Sequence, residues 1–155
     1  MNTKRAHGFT LVEILIVVVI LGILAALVVP QFASASGQAV KAALSRQLQE
    51  IDTQIEIYRG ANADQFPTAD PTAPMAAGGT NDGWGALVSK KYFKESPLNP
   101  YTGQALLVVG DGATAAADPA SSANGWYFTF TATLPRLDVY AAGYDRAADV
   151  LSNGQ

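Results

Sequence analysis

The chain has 155 residues, ten Lys and Arg against 13 Asp and Glu, a formal charge of −3, one histidine and no cysteine. That length suits one small domain beside a membrane segment, and the acidic balance argues against nucleic acid as a partner. Disulfides, thiol catalysis and cysteine-based zinc sites fall away with the missing cysteine.

The N-terminus pairs a short basic stretch, Lys4, Arg5 and His7, with Gly8 and then an apolar run. A secretory signal would finish its apolar core before a small-residue cleavage site; here the core follows the glycine. Residues 9–29 would make a helix of roughly 31 Å, enough to cross a bilayer core. Lys4 and Arg5 would hold the leader on the cytoplasmic side. Glu13 interrupts the run, and a carboxylate there costs on the order of 2.5–3.5 kcal/mol on insertion scales. No Lys, Arg or His lies between Phe9 and Val40 to pair with it. A partner on another molecule is therefore expected, which points to a subunit that assembles. The bland alternative is a charge near the membrane surface that snorkels outward.

Gly8-Phe9-Thr10-Leu11-Val12-Glu13, behind a basic leader and before an apolar helix, resembles the processing site of type IV pilins and type II secretion pseudopilins. The resemblance implies a leader of residues 1–8, cut after Gly8 by prepilin peptidase, and N-methylation of Phe9. It implies a transmembrane and assembly helix over 9–30 and a head over 31–155 that includes the second half of the helix, 38–59. Glu13 takes the place of the family's assembly glutamate, and the ammonium of a neighbour's Phe9 would meet it. Gly22 and Pro30 fall where the family weakens its helix. Each also has an ordinary reading, as a common membrane-helix glycine and as a helix exit. Processing would remove His7 and with it Ser-His-Asp chemistry. It would also remove Lys4 and Arg5, leaving 8 basic against 13 acidic side chains, or −5. The implied partners are further copies in a helical filament, an inner-membrane assembly platform, and minor pilins or pseudopilins. The implied location is the bacterial inner membrane as a single-pass protein, then a periplasmic or cell-surface filament. No enzymatic activity is expected.

Val40, Leu44, Leu48, Ile51, Ile55 and Tyr58 recur at helical spacing, and Gly60 reads as the stop. With the membrane helix they predict one long rod, jointed near Pro30 and the Ala-Ser-Ala-Ser-Gly stretch. Residues 60–83, rich in Pro and Gly, predict a long loop. Trp84–Lys94 predicts a short helix with Leu87, Val88 and Phe93 inward. Strands are expected at Leu106–Val109, Trp126–Thr133 and Leu137–Ala141, with a small polar stretch from Ala113 to Gly125. In the second strand Trp126, Phe128, Phe130 and Ala132 share one face and Tyr127, Thr129, Thr131 and Thr133 the other, the alternation of a strand buried on one side and wet on the other. The fold class is α+β: a pilin-like long N-terminal helix, its first half transmembrane, on a small antiparallel sheet.

Beyond the N-terminus the resemblance is scattered. Tyr58, Phe66-Pro67-Thr68 and Pro97-Leu98-Asn99-Pro100-Tyr101 resemble the rhythm of major pseudopilins, without the usual Trp-Gly pair. Some of those hold calcium in a C-terminal loop, which makes Asp145 and Asp149 candidate calcium ligands; solvated surface acids are the alternative. Lys90, Lys91 and Lys94 around Tyr92 and Phe93 form a basic patch, read as the wet face of a helix before a DNA contact. The resemblance covers both a secretion pseudopilin and a surface pilin used for adhesion, motility or DNA uptake. The reading from another class is a monomeric membrane-anchored binding domain that keeps its N-terminus.

Overall fold

The computed structural model describes residues 9–67, 82–131 and 136–154, with residues 30–34 described by backbone alone. The chain divides into two compact units, Met1–Ser36 and Gly37–Gln155. Helix α1, Leu11–Ala61, begins in the first and ends in the second.

In the first unit the large apolar side chains from Phe9 to Val29 are all exposed. Leu11–Val29 is long and apolar enough to cross a membrane. The run Val17-Val18-Val19-Ile20 is β-branched and has modest intrinsic helix preference. In hydrocarbon, however, a helix satisfies every backbone group within the segment.

In the second unit the stripe on α1 becomes one wall of the core. Leu44, Leu48, Ile51, Ile55 and Tyr58 are buried, and Val40 packs at the margin. The helix does not stop at Gly60. It ends one residue later, at Ala61, and just beyond it Ala63 and Asp64 adopt φ of 53° and 64°. Asn62 N–H and Asp64 N–H both return to the Arg59 carbonyl, at 3.2 and 3.0 Å, and the Asn62 side chain caps the Tyr58 carbonyl at 2.7 Å. Left-handed residues with returning amides are an ordinary way to satisfy helix-end carbonyls. Most of the expected loop, residues 68–81, lies outside the described residues, as do 132–135 at the end of the second expected strand.

The short helix is confined to α2, Gly85–Ser89, because Lys91 at φ 65° ends it. Leu87 is buried, and Val88 and Phe93 pack beside it as expected. The sheet has the order β1-β2-β3, formed by Leu107–Val109, Trp126–Thr131 and Arg136–Ala141. It is not wholly antiparallel. Strands β2 and β3 are, but β1 runs parallel to β2, with Leu107 opposite Trp126. Parallel neighbours need a long crossover. Residues 110–125 supply it and contain an unexpected helix, α3, Gly112–Ala117. Asp111 caps α3 by accepting from the Thr114 N–H at 2.8 Å.

The crossover changes the burial of β2. Trp126 and Phe128 face α1 within the main core, with Leu137, Val139 and Ala141 of β3. Tyr127, expected on the wet face, is buried against Ala115 of α3 and Ala142. Phe130 is half out of the core, its ring edge on Phe66 at 5.7 Å. The chain closes with a second sheet, the hairpin of β4, Tyr144–Asp145, and β5, Val150–Leu151, in a region expected to be loop.

Candidate functional site

Gly8 lies outside the described residues. Phe9 is exposed, and helix α1 begins two residues later. Thr10 and Glu13 close a reciprocal box around that start. The Thr10 N–H and hydroxyl both donate to Glu13 Oε2 at 2.9 Å, and the Glu13 N–H donates to Thr10 Oγ1 at 3.2 Å. This is the Thr-x-x-Glu capping pattern, a signal present in the sequence and masked there by the anomaly of the charge itself. It satisfies helix-end amides and places a carboxylate at the positive end of the helix. A methyl group at Gly22 would meet only open space, so nothing in the isolated chain requires a glycine there. Helix α1 continues through Pro30.

A second constellation lies in the head. Asn99 is fully buried. Its Nδ2 donates to the carbonyls of Gly125 and Ala142, at 2.6 and 3.0 Å. Its Oδ1 accepts from the N–H groups of Tyr101 and Thr102, at 2.7 and 3.2 Å. One amide therefore fastens the 97–104 turn to the start of β2 and the end of β3. Beside it, Trp126 Nε1 donates to the Pro97 carbonyl at 2.8 Å. Tyr101 packs so closely on Gly143, at φ 77°, that a Cβ there would collide with its ring. Tyr58, Phe66 and Pro67 are buried in the same unit.

Asp145 and Asp149 flank the turn of the β4–β5 hairpin, each with its own protein partners. Asp145 Oδ1 accepts from the N–H groups of Ala147 and Ala148, at 2.8 and 3.0 Å. Asp149 Oδ1 accepts from the Tyr144 hydroxyl at 3.0 Å. Lys41 Nζ lies 3.6 Å from Asp149 Oδ2 and donates to the Asp149 carbonyl at 3.1 Å. Burial, and then the Asp149 carboxylate, push the Tyr144 phenol up. Among the described residues no three His, Cys, Asp or Glu side chains converge as metal ligands.

The three lysines do not act as a set. Lys90 donates to the Tyr58 hydroxyl at 3.2 Å and to Asn62 Oδ1 at 3.0 Å, with its ammonium over the Tyr58 ring. Lys91 occupies the left-handed position after α2, and Lys94 is exposed.

Residues 3–29 match the family model of the prokaryotic N-terminal methylation motif. The type II secretion system core protein G of Dickeya chrysanthemi is 35% identical over 96 residues, covering 62% of this chain and 55% of that protein. Core protein G of Escherichia coli (strain K12) is 30% identical over 115 residues, 68% of this chain and 74% of that protein. The chain belongs to the type IV pilin and type II secretion pseudopilin family. The type IV narrow pilus major component PilA5 of Thermus thermophilus is also similar, 37% identical over 79 residues, 51% of this chain and 67% of that protein. The chain thus spans little more than half of the Dickeya relative's length. No solved structure matches it with significance.

The pseudopilin-like calcium reading can be set against the donors present. Calcium takes six to eight oxygens. The C-terminal hairpin offers two carboxylates, one committed to backbone amides and the other to a phenol and an ammonium. Those two carboxylates by themselves supply fewer oxygens than that.

Proposed function

We propose that this pilin-family chain is a non-enzymatic structural subunit of a filament, in the first place a type II secretion pseudopilus. The observation that carries the reading is Glu13. It is a carboxylate at the head of an exposed apolar helix, within the matched methylation motif. Its hydrogen bonds come from Thr10 of the same chain, and they bring no positive charge.

In this reading prepilin peptidase cuts after Gly8 and Phe9 is methylated. The subunit then waits as a single-pass inner-membrane protein. An assembly platform stacks the helices, minor pseudopilins or pilins join the fibre, and each Phe9 ammonium meets a neighbour's Glu13. In a low-dielectric core the pairing relieves a desolvation cost more than it adds net stability. It therefore sets axial register, and apolar packing of residues 9–29 supplies the cohesion. Gly22 and Pro30 give the helix freedom to adjust during that packing.

A surface type IV pilus subunit for adhesion, motility or DNA uptake is the second reading. The similarity to the Thermus pilus component supports it. Two measurements test the set. The intact mass of the mature protein should lack residues 1–8 and carry one added methyl group. A mass that retains them would instead indicate a monomeric membrane-anchored binding domain. Immunogold microscopy with antibody against residues 38–155 should label the envelope for a pseudopilus, whereas labelled fibres well beyond the cell would establish the pilus.

A further inference from the structure

The β4–β5 hairpin is tied to helix α1 by two ion pairs of opposite sense. Lys41 reaches Asp149, and Asp52 accepts from Arg146 at 3.2 Å. Lys41 and Asp52 lie about three helical turns apart, so they share one face of α1. The hairpin is thus bracketed by a cation and an anion from a single rigid element.

The Lys41 end is the more constrained. Its side chain is 18% exposed. Asp149 sits at φ 54°, a left-handed conformation uncommon outside glycine. That conformation brings the carbonyl and the carboxylate of one residue to the same ammonium. Tyr144 completes the arrangement by donating to the other carboxylate oxygen. Main-chain oxygen, carboxylate and cation are the components of a metal-closed loop, with a side-chain ammonium in the central position.

We propose that Lys41 is the resident cation of the C-terminal hairpin, and that the hairpin closes without a divalent ion. An ammonium needs few acceptors and brings three donors of its own. A divalent ion needs several oxygens, and among the described residues no three acidic or other ligating side chains converge to supply them. It would also have to enter beside a like charge that the helix holds in place. With no cysteine in the chain, the hairpin has no disulfide either, and this contact takes over the closure. The inference is independent of filament assembly.

The test is hydrogen–deuterium exchange on the full chain in detergent micelles, with calcium chloride or with EDTA. Amides of residues 144–151 in the unsubstituted protein should exchange at the same rate in both. Calcium-dependent protection would overturn the proposal, and this arm needs no variant. Lys41→Met should speed exchange in the hairpin about five-fold, since the carboxylate is largely exposed and the contact correspondingly screened. Lys41→Arg should recover most of the protection. Unchanged exchange in a folded Lys41→Met protein would also overturn it. Should Lys41→Met fail to fold, Asp149→Asn keeps the backbone acceptor and removes the charge. A partial loss of protection there, insensitive to calcium, is the expected result, and no loss would count against the ion pair.

Discussion

Asn99 illustrates how much of the head hangs on one side chain. Four hydrogen bonds from a fully buried amide join segments far apart in sequence. Removing it leaves the Ala142 carbonyl and the N–H groups of Tyr101 and Thr102 without this partner, while the Gly125 carbonyl keeps only the Ala142 N–H, and each buried group left unpaired carries a desolvation cost. Asn99→Ala should therefore lower unfolding stability by about 3 kcal/mol. Urea unfolding of the full chain, followed by tryptophan fluorescence, checks this, because Trp126 is bonded next to the 97–104 turn. A loss below about 1 kcal/mol would mean that water repairs the site. Glu13 is the converse case, a residue with little to do for the head. Its capping role is local to the first turn of α1. Glu13→Val should leave insertion, processing and head stability intact and should abolish fibres. Fibres of normal length from that variant would remove the assembly role. Both residues are visible in the sequence, but differently. Glu13 stands out because a charge in an apolar run is anomalous by itself. Asn99 shows there only through a resemblance, since its two carbonyl partners, Gly125 and Ala142, are brought to it by the fold.

At the scale of elements, α1 is legible because one physical signal runs through it. The stripe from Val40 to Tyr58 repeats the helical period and buries what the period says it should. Helix α3 carries no such signal: Gly112–Ala117 is too short and too uniform for a stripe, and only the Asp111 cap announces it. Without α3 the parallel pairing of β1 is invisible too, because a segment with no helix looks like the link of a meander. The same gap puts Tyr127 on the wrong side of the wet–dry divide. The β4–β5 hairpin escapes for a similar reason, since strands of two residues are defined by their partners. The α3 face has a measurable consequence. Burial is the first cause raising the phenol pKa of both Tyr127 and Tyr140, above the ordinary value of 10.0. For a group whose folded pKa is raised, the associated stability is fully present below pH 10.0 and is lost as pH rises through the folded value. The Tyr127 hydroxyl also donates to Asp118 at 2.7 Å. Tyr127→Phe should thus be less stable near neutrality by about 1 kcal/mol, yet lose less on going alkaline. Unfolding midpoints on either side of pH 10, with phenolate absorbance as the titration signal, would show the two stability curves converging. Parallel curves would mean that Tyr127 titrates alike in the folded and unfolded chain.

For the whole molecule, the decisive fact is the separation of roles between its two units. Every residue of the main core falls between Leu44 and Leu151, and the second cluster lies within Ala115–Ala142. All of them belong to the unit that begins at Gly37. The first unit instead exposes a largely apolar surface, which water does not tolerate at that size. Cohesion of the head and attachment of the chain therefore rest on different residues and should be separable. A fragment of residues 37–155 keeps the whole stripe of α1, both Trp indole bonds and the two ties from α1 to the hairpin. It should be soluble without detergent and unfold cooperatively. Its thermal midpoint should fall within about 5 °C of the head transition in the full chain, the scale set by about 1 kcal/mol in a small domain. The complementary segment should partition into membranes and show no cooperative transition. Aggregation of the 37–155 fragment, or a midpoint far below the full chain's, would show that residues 9–36 contribute to the head's stability.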